Sequence, residues 1–198
     1  ADMLAAGLNP ENAADQKKFA AGVYANYLEA TTKLVWGVDP SLTVYHNGSS
    51  LRARHDIYPF DSHIEIESLP TGGWGYDHFP PNARYFTALN DDLQVVGMTG
   101  KFHKSWGEFG GFKDPVALRY ECAQIASLGC LTCTGDQLHP SGYMDPETYR
   151  VIGDAYAYLE EREDWLKGAR PYSDVAILGT MEMFFSRTGQ QAIQGAGK

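Results

Sequence analysis

Hydrophobic and polar positions alternate most cleanly over residues 62–68, where His63, Glu65 and Glu67 fall on one side of an extended chain and Ile64, Ile66 and Ser68 on the other. A period of two predicts a strand. It empties into a glycine-rich loop carrying Trp74, Tyr76, Asp77 and His78. Upstream the period is that of a helix: Phe19, Val23, Tyr27, Ala30 and Leu34 mark one stripe over residues 10–36, with Asn9 as the expected cap and Pro10 at the first helical position. Gly37 is expected to close that helix, and residues 42–46 to form a short buried strand ending in His46 and Asn47.

Downstream the pattern repeats. Residues 80–89 predict a short helix, 93–99 a strand and 101–113 a polar loop; Asp114-Pro115 opens a helix to about residue 128, and 130–135 form the next strand. Asp145-Pro146 opens a last helix with Tyr149, Ile152, Tyr156, Leu159 and Leu166 at helical spacing, and 173–179 read as a fifth strand. Strand, long polar loop, helix, short turn and strand again is the signature of successive parallel βα units. The loops after strands hold His46, Asn47, Trp74, Tyr76, Asp77, His78, Lys101, His103, Trp106, Glu108, Asp136 and His139, whereas the loops after helices are short. In a (β/α)8 barrel that asymmetry divides the chemical end from the structural end. The expected fold is therefore α/β, a partial TIM barrel of about four parallel strands forming its second half, with a doubly wound open sheet as the alternative.

Composition narrows the chemistry. Hydrophobic residues at 43% and charged residues at 21% are those of a globular chain, and a net charge of -9 disfavours nucleic acid and anionic membranes as partners. No apolar run approaches the roughly 20 residues of a membrane span. Three cysteines, Cys122, Cys130 and Cys133, cannot complete a disulfide framework, which favours a reducing, cytoplasmic setting. The first residue is Ala1, not a methionine, and an excerpt or processed product is expected.

No phosphate loop, dinucleotide fingerprint or nucleophile elbow is present, so no nucleotide cofactor is expected. Carboxylates set among aromatic rings suit glycoside cleavage, which uses one carboxyl to protonate the leaving oxygen and another to attack or to activate water. Glu67, nearest the loop end, is the candidate general acid or base, and Glu65, one layer deeper, the group that positions it. Trp74, Tyr76 and Trp106 offer faces for sugar rings. Asp136 reads as a hydrogen-bonding group for sugar hydroxyls. The histidines raise a metal alternative, but no H-x-H or H-E-x-x-H pair occurs, and no metal site is assigned. Other readings are a metal-dependent amidohydrolase-like barrel and a catalytically silent carbohydrate-binding protein.

The runs HIEIESLPTGGWGYDHF (63–79), GMTGKFHKSWGEFGGFK (97–113) and GDQLHPSGYMD (135–145) resemble the alpha-L-fucosidase-type glycoside hydrolases of family 151. The resemblance implies a catalytic barrel over residues 1–168, the start of a flavodoxin-like trimerisation domain over 169–198, retaining cleavage of terminal fucose, no cofactor and a homo-oligomer. It also implies that the nucleophile strand lies outside this chain. The substrate-binding set expected is His46, Asn47, Trp74, Tyr76, Asp77, His78, Lys101, His103, Trp106, Asp136 and His139, with beta-galactosides as the alternative substrate.

Overall fold

The computed structural model describes residues 2–47, 60–89, 92–108, 110–137, 139–170 and 172–176, which fall into two units. The first holds residues 2–46 with 60–62 and is built on two helices, α1 (Asp2–Ala5) and α2 (Ala13–Val38). α2 starts later than the pattern predicts. Asn12, rather than Asn9, is its cap and accepts from the backbone N–H groups of Ala14 and Asp15. Asn9 instead accepts from Glu11 N, a local turn that uses up its side chain before a helix can start there. At the other end the helix runs through Gly37 to Val38.

The expected apolar stripe does not coincide with the buried one. Leu28 and Thr32 are fully enclosed, and Thr32 donates its hydroxyl to the Phe60 carbonyl, while Val23, Tyr27 and Leu34 stay 52%, 54% and 73% exposed. The strand expected over residues 42–46 does not form. Val44 N–H donates to the Ser62 hydroxyl, the Val44 carbonyl accepts from Ser62 N–H, and Trp36 Nε1–H donates to the Leu42 carbonyl. Those side chains satisfy backbone groups that a ladder would otherwise have to serve.

The second unit contains the βα repeat. Among the described residues its sheet has three strands, β1 (Ile64–Glu67), β2 (Val95–Gly100) and β3 (Leu131–Gly135), all parallel and ordered as in sequence. Helices α3 (Phe79–Leu89), α4 (Pro115–Ser127) and α5 (Pro146–Glu160) follow the strands in turn, and α6 (Glu163–Leu166) follows α5. Asp114 caps α4 through Val116 N, and Asp145 caps α5 through Thr148 N, with Pro115 and Pro146 in the first turns as the sequence predicts.

Phe79 of α3 and Ile125 of α4 close over Gly97 in the central strand, so the helices lie on the face that carries Ile64, Ile66, Gly97 and Thr99. Ile64, Ile66, Ala83, Phe86 and Leu118 are fully buried. Each large apolar side chain so enclosed contributes about 1.5–3 kcal/mol. The face opposite α3 and α4 carries Glu65 and Glu67, which register with Val96 and Met98 of β2, and through them Leu131 and Cys133 of β3.

The last helix differs from expectation in two ways. Its buried residues are Thr148, Val151 and Ala155; Val151 and Ala155 pack with Leu118 and Cys122 of α4, and Ile152 and Leu159 of the expected stripe pack against that cluster, whereas Tyr149 and Tyr156 keep their hydroxyls on polar partners. It also stops at Glu160 and restarts at Glu163. Arg162, just beyond α5, donates to the Tyr158 carbonyl in its last turn, and Glu163 and Asp164 suit the positive first turn of α6. Of the fifth strand expected over 173–179, residues 173–176 have no regular structure and the remainder lies outside the described residues, as does most of the expected second domain.

Candidate active site

Glu67 is the last residue of β1, Lys101 directly follows β2 and Asp136 directly follows β3, so the parallel order brings these three to one end of the sheet. Glu67 is partly buried. Its Oε1 accepts from Trp106 Nε1–H at 2.6 Å, and Oε2 lies 3.5 Å from Asn47 Nδ2. Trp106 reaches that position because its ring lies against Gly135, where any Cβ would overlap the indole, and tilts onto Phe102 at 5.0 Å between centroids. Glu65, two residues earlier on the same face, is 7% exposed and hydrogen-bonds Cys133. Burial, then the charge and hydrogen bond of Glu65, raise the Cys133 thiol above its usual range.

The loop after β1 is a short 3₁₀ turn, Pro70–Gly72, followed by Gly73 in the left-handed region at φ 96°. Gly72 lies under the Lys104 carbonyl of the next strand's loop, an approach too close for any side chain. Trp74 is 43% exposed and stands edge-on to His78 at 5.0 Å. His78 Nδ1 is 3.1 Å from the Ser68 hydroxyl, and burial lowers its pKa against the opposing pull of Asp77 and Glu67. Asp77 and His103 are exposed.

Tyr76, expected as a face for a sugar ring, is 38% exposed and has its hydroxyl engaged within the protein. Its hydroxyl donates to Glu121 Oε1 at 3.2 Å, and its ring packs edge-on to Tyr120. Glu121 is 2% exposed, and its Oε2 accepts from Lys113 Nζ and from the Thr99 hydroxyl, both at 2.5 Å, while Lys113 Nζ also lies 3.0 Å from Thr99 Oγ1. Burial first, then the Glu121 charge and hydrogen bond, push the Tyr76 hydroxyl up to about 12. Sequence reasoning missed Lys113, Glu121 and Thr99. A signal existed in α4, where Glu121 occupies a place in the stripe otherwise formed by Leu118, Cys122 and Ile125.

Lys101, Asp136 and His139 line one cavity of about 430 Å³. Lys101 is 5% exposed, with its ammonium 5.2 Å from the centroids of both Phe102 and Phe112. Asp136 accepts from Gln137 N–H and hydrogen-bonds the Tyr149 hydroxyl; His139 is exposed, with Nδ1 2.9 Å from the Ser141 hydroxyl.

His46 is not at the end of a strand. It is buried in the first unit, with Nδ1 2.7 Å from Asp61 Oδ1, Nε2 2.9 Å from the Thr31 hydroxyl and Tyr27 edge-on to its ring. Both ring nitrogens are thereby engaged by protein, so ligand binding is not the task its geometry favours. His63 is half-buried just before β1. No three His, Cys, Asp or Glu side chains gather as a metal-ligand set among the described residues. Cys133 lies within β3 and Cys130 just before it; burial pushes Cys130 up to about 12.

Fold and site together define an α/β protein of sequential parallel βα units, with a carboxylate, a lysine and a second carboxylate at consecutive strand ends beside tryptophan. Among solved structures, it is similar to the alpha-L-fucosidase isoenzyme 2 from Paenibacillus thiaminolyticus, at 43% identity and a TM-score of 0.87. The likeness covers 98% of this chain and 30% of that one, so the chain spans about a third of that protein's length. It supports a relationship of the fucosidase type. No family model matches the chain, and no curated protein does.

Proposed function

We propose that this chain is part of a glycoside hydrolase that removes terminal alpha-L-fucose, with Glu67 as general acid and base. The observation that carries the reading is the Glu67 carboxylate itself: last on its strand, on the face opposite α3 and α4, and held by the Trp106 indole at the foot of an aromatic loop. Oriented by that hydrogen bond, it presents its remaining lone pairs toward the strand-end side, where a glycosidic oxygen would be protonated. Glu65 positions it from below. Similarity to a fucosidase over nearly the whole chain supports the sugar assigned.

In this reading the three strands are a sector of a (β/α)8 barrel, since helices on one face and strands in sequential order suit closure better than a doubly wound sheet. The family 151 relationship, retention of configuration, a nucleophile contributed by another part of the protein and assembly through a following trimerisation domain all belong to the same proposal. Trp74 and His78 contact the bound sugar; Lys101, Asp136 and His139 hold its neighbours. Asp77, His103 and Asn47 complete the rim.

The test is hydrolysis of a panel of nitrophenyl glycosides by the full-length protein. Turnover of the alpha-L-fucoside above all others is expected; preference for the beta-galactoside would change the substrate, stoichiometric zinc would point to the amidohydrolase-like alternative, and binding without turnover would make the protein a lectin-like binder. Glu67→Gln should retain sugar binding and lose roughly 10²–10⁴-fold in turnover of unactivated substrates, with less loss on aryl leaving groups that need little protonation. Equal losses on both would remove the acid role.

A further inference from the structure

The aromatic loop after β1 is held loosely by its own backbone. Trp74 lies between Gly73 and Gly75, both in the left-handed region, at φ 96° and 80°, which glycine enters without steric penalty. The backbone hydrogen bonds around it are long: Trp74 N–H to the Leu69 carbonyl at 3.4 Å, Gly75 N–H to the Pro70 carbonyl at 3.2 Å and His78 N–H to the Gly75 carbonyl at 3.3 Å. Two side chains tie the loop to the rest of the unit. His78 meets the Ser68 hydroxyl at the loop's base, and Tyr76 reaches across to α4, where its hydroxyl donates to Glu121 Oε1.

Glu121 makes a fixed anchor. It is 2% exposed, and its other oxygen accepts from Lys113 Nζ and from the Thr99 hydroxyl, both of residues only 1% exposed. With both oxygens engaged, the carboxylate cannot swing away without leaving a buried ammonium unpaired. Lys113 also ends the next strand's loop: its backbone N–H donates to the Lys101 carbonyl at 2.8 Å, closing the segment that carries Trp106. One buried pair therefore stands behind both loops. Enclosing two charges costs their hydration, and an apolar pair of similar volume often holds a core as well or better, so core stability alone does not account for the pair.

Resting on the fucosidase reading above, we infer that Glu121 is a positioning residue for sugar binding: through the Tyr76 hydroxyl it holds the loop that presents Trp74 and His78, while Lys113 fixes Glu121 from behind. Neither buried residue touches the sugar. Burial, and then the Glu121 charge, keep the Tyr76 hydroxyl protonated well above neutral pH, so it remains a donor to the carboxylate.

The test uses the full-length protein and nitrophenyl alpha-L-fucoside. Tyr76→Phe should raise KM by about tenfold while kcat stays within about twofold, the pattern of binding lost equally from ground and transition states. Two neutral replacements of the pair separate anchoring from stability. Lys113→Met with Glu121→Gln keeps an acceptor for the Tyr76 hydroxyl, and Lys113→Met with Glu121→Leu does not. The first should keep KM within about threefold of the unsubstituted protein and the second should match Tyr76→Phe, whichever of the two is the more stable in urea denaturation. Equal KM in the two double variants, or an unchanged KM in Tyr76→Phe, would overturn the inference and leave the pair to the core alone. If the unsubstituted protein hydrolyses no fucoside, the fucosidase reading fails, and the anchor is judged by amide hydrogen exchange over residues 73–78. Faster exchange there in Tyr76→Phe, with exchange across β1 and β2 unaltered, sustains the anchor; unaltered exchange in the loop overturns it.

Discussion

At the scale of single residues, the site depends on contacts that sequence spacing could not reveal. Tyr76 lies in the aromatic loop that the alternating strand announces, yet its hydroxyl is turned to Glu121 rather than left for a ligand. Its folded pKa, about 12 against the ordinary value near 10, makes a signed prediction. The native state holds this proton more tightly than the unfolded chain, so its stabilisation is complete below pH about 10 and is lost as pH rises through 12. Tyr76→Phe should therefore flatten the fall in stability across that window, as measured by urea denaturation at closely spaced alkaline pH. An identical slope in both proteins would deny the linkage. Gly135 carries a second prediction. Gly135→Ala would force the Trp106 ring off the strand end and away from Glu67, at a cost of about 1–3 kcal/mol, with a changed near-ultraviolet circular dichroism spectrum and reduced turnover. A native aromatic spectrum in that variant would show that the indole has room to spare. His46 illustrates the opposite lesson: a histidine expected at a strand end as a binding group has its ring taken up by Thr31 and Asp61, one fifteen residues before it and one fifteen after.

Elements were legible where local chemistry alone decides them. Asp114-Pro115 and Asp145-Pro146 start their helices as caps should, and β1 lies where alternation put it. On α5, Ile152 and Leu159 of the expected stripe pack against the buried cluster, but the tyrosines counted with them have polar partners: Tyr156 the Thr132 carbonyl and Tyr149 Asp136. Residues 42–46 were misread because an apolar run says nothing about whether a neighbouring strand is available. Between elements, the buried Lys113–Glu121 pair ties α4 to the strand end through Thr99. Lys113→Met should cost about 3–5 kcal/mol in urea denaturation, since it strands the Glu121 charge, whereas Lys113→Met with Glu121→Leu should recover much of that loss. A double variant no more stable than the single one would mean that the pair provides more than mutual neutralisation.

For the whole molecule, the repeat of strand, loop and helix gave the parallel order and the common end at which Glu67, Lys101 and Asp136 meet. What it could not give was the division of labour at that end, because a loop's contacts to its neighbour leave no period in the sequence. One such contact reaches further than the others. The Lys104 carbonyl seated on Gly72 leaves two successive strand-end loops no room to move toward each other and no room for a side chain at position 72. Anyone grafting the Trp74 segment onto a different scaffold would need to keep glycine at position 72 wherever a neighbouring backbone comes as close as the Lys104 carbonyl does here.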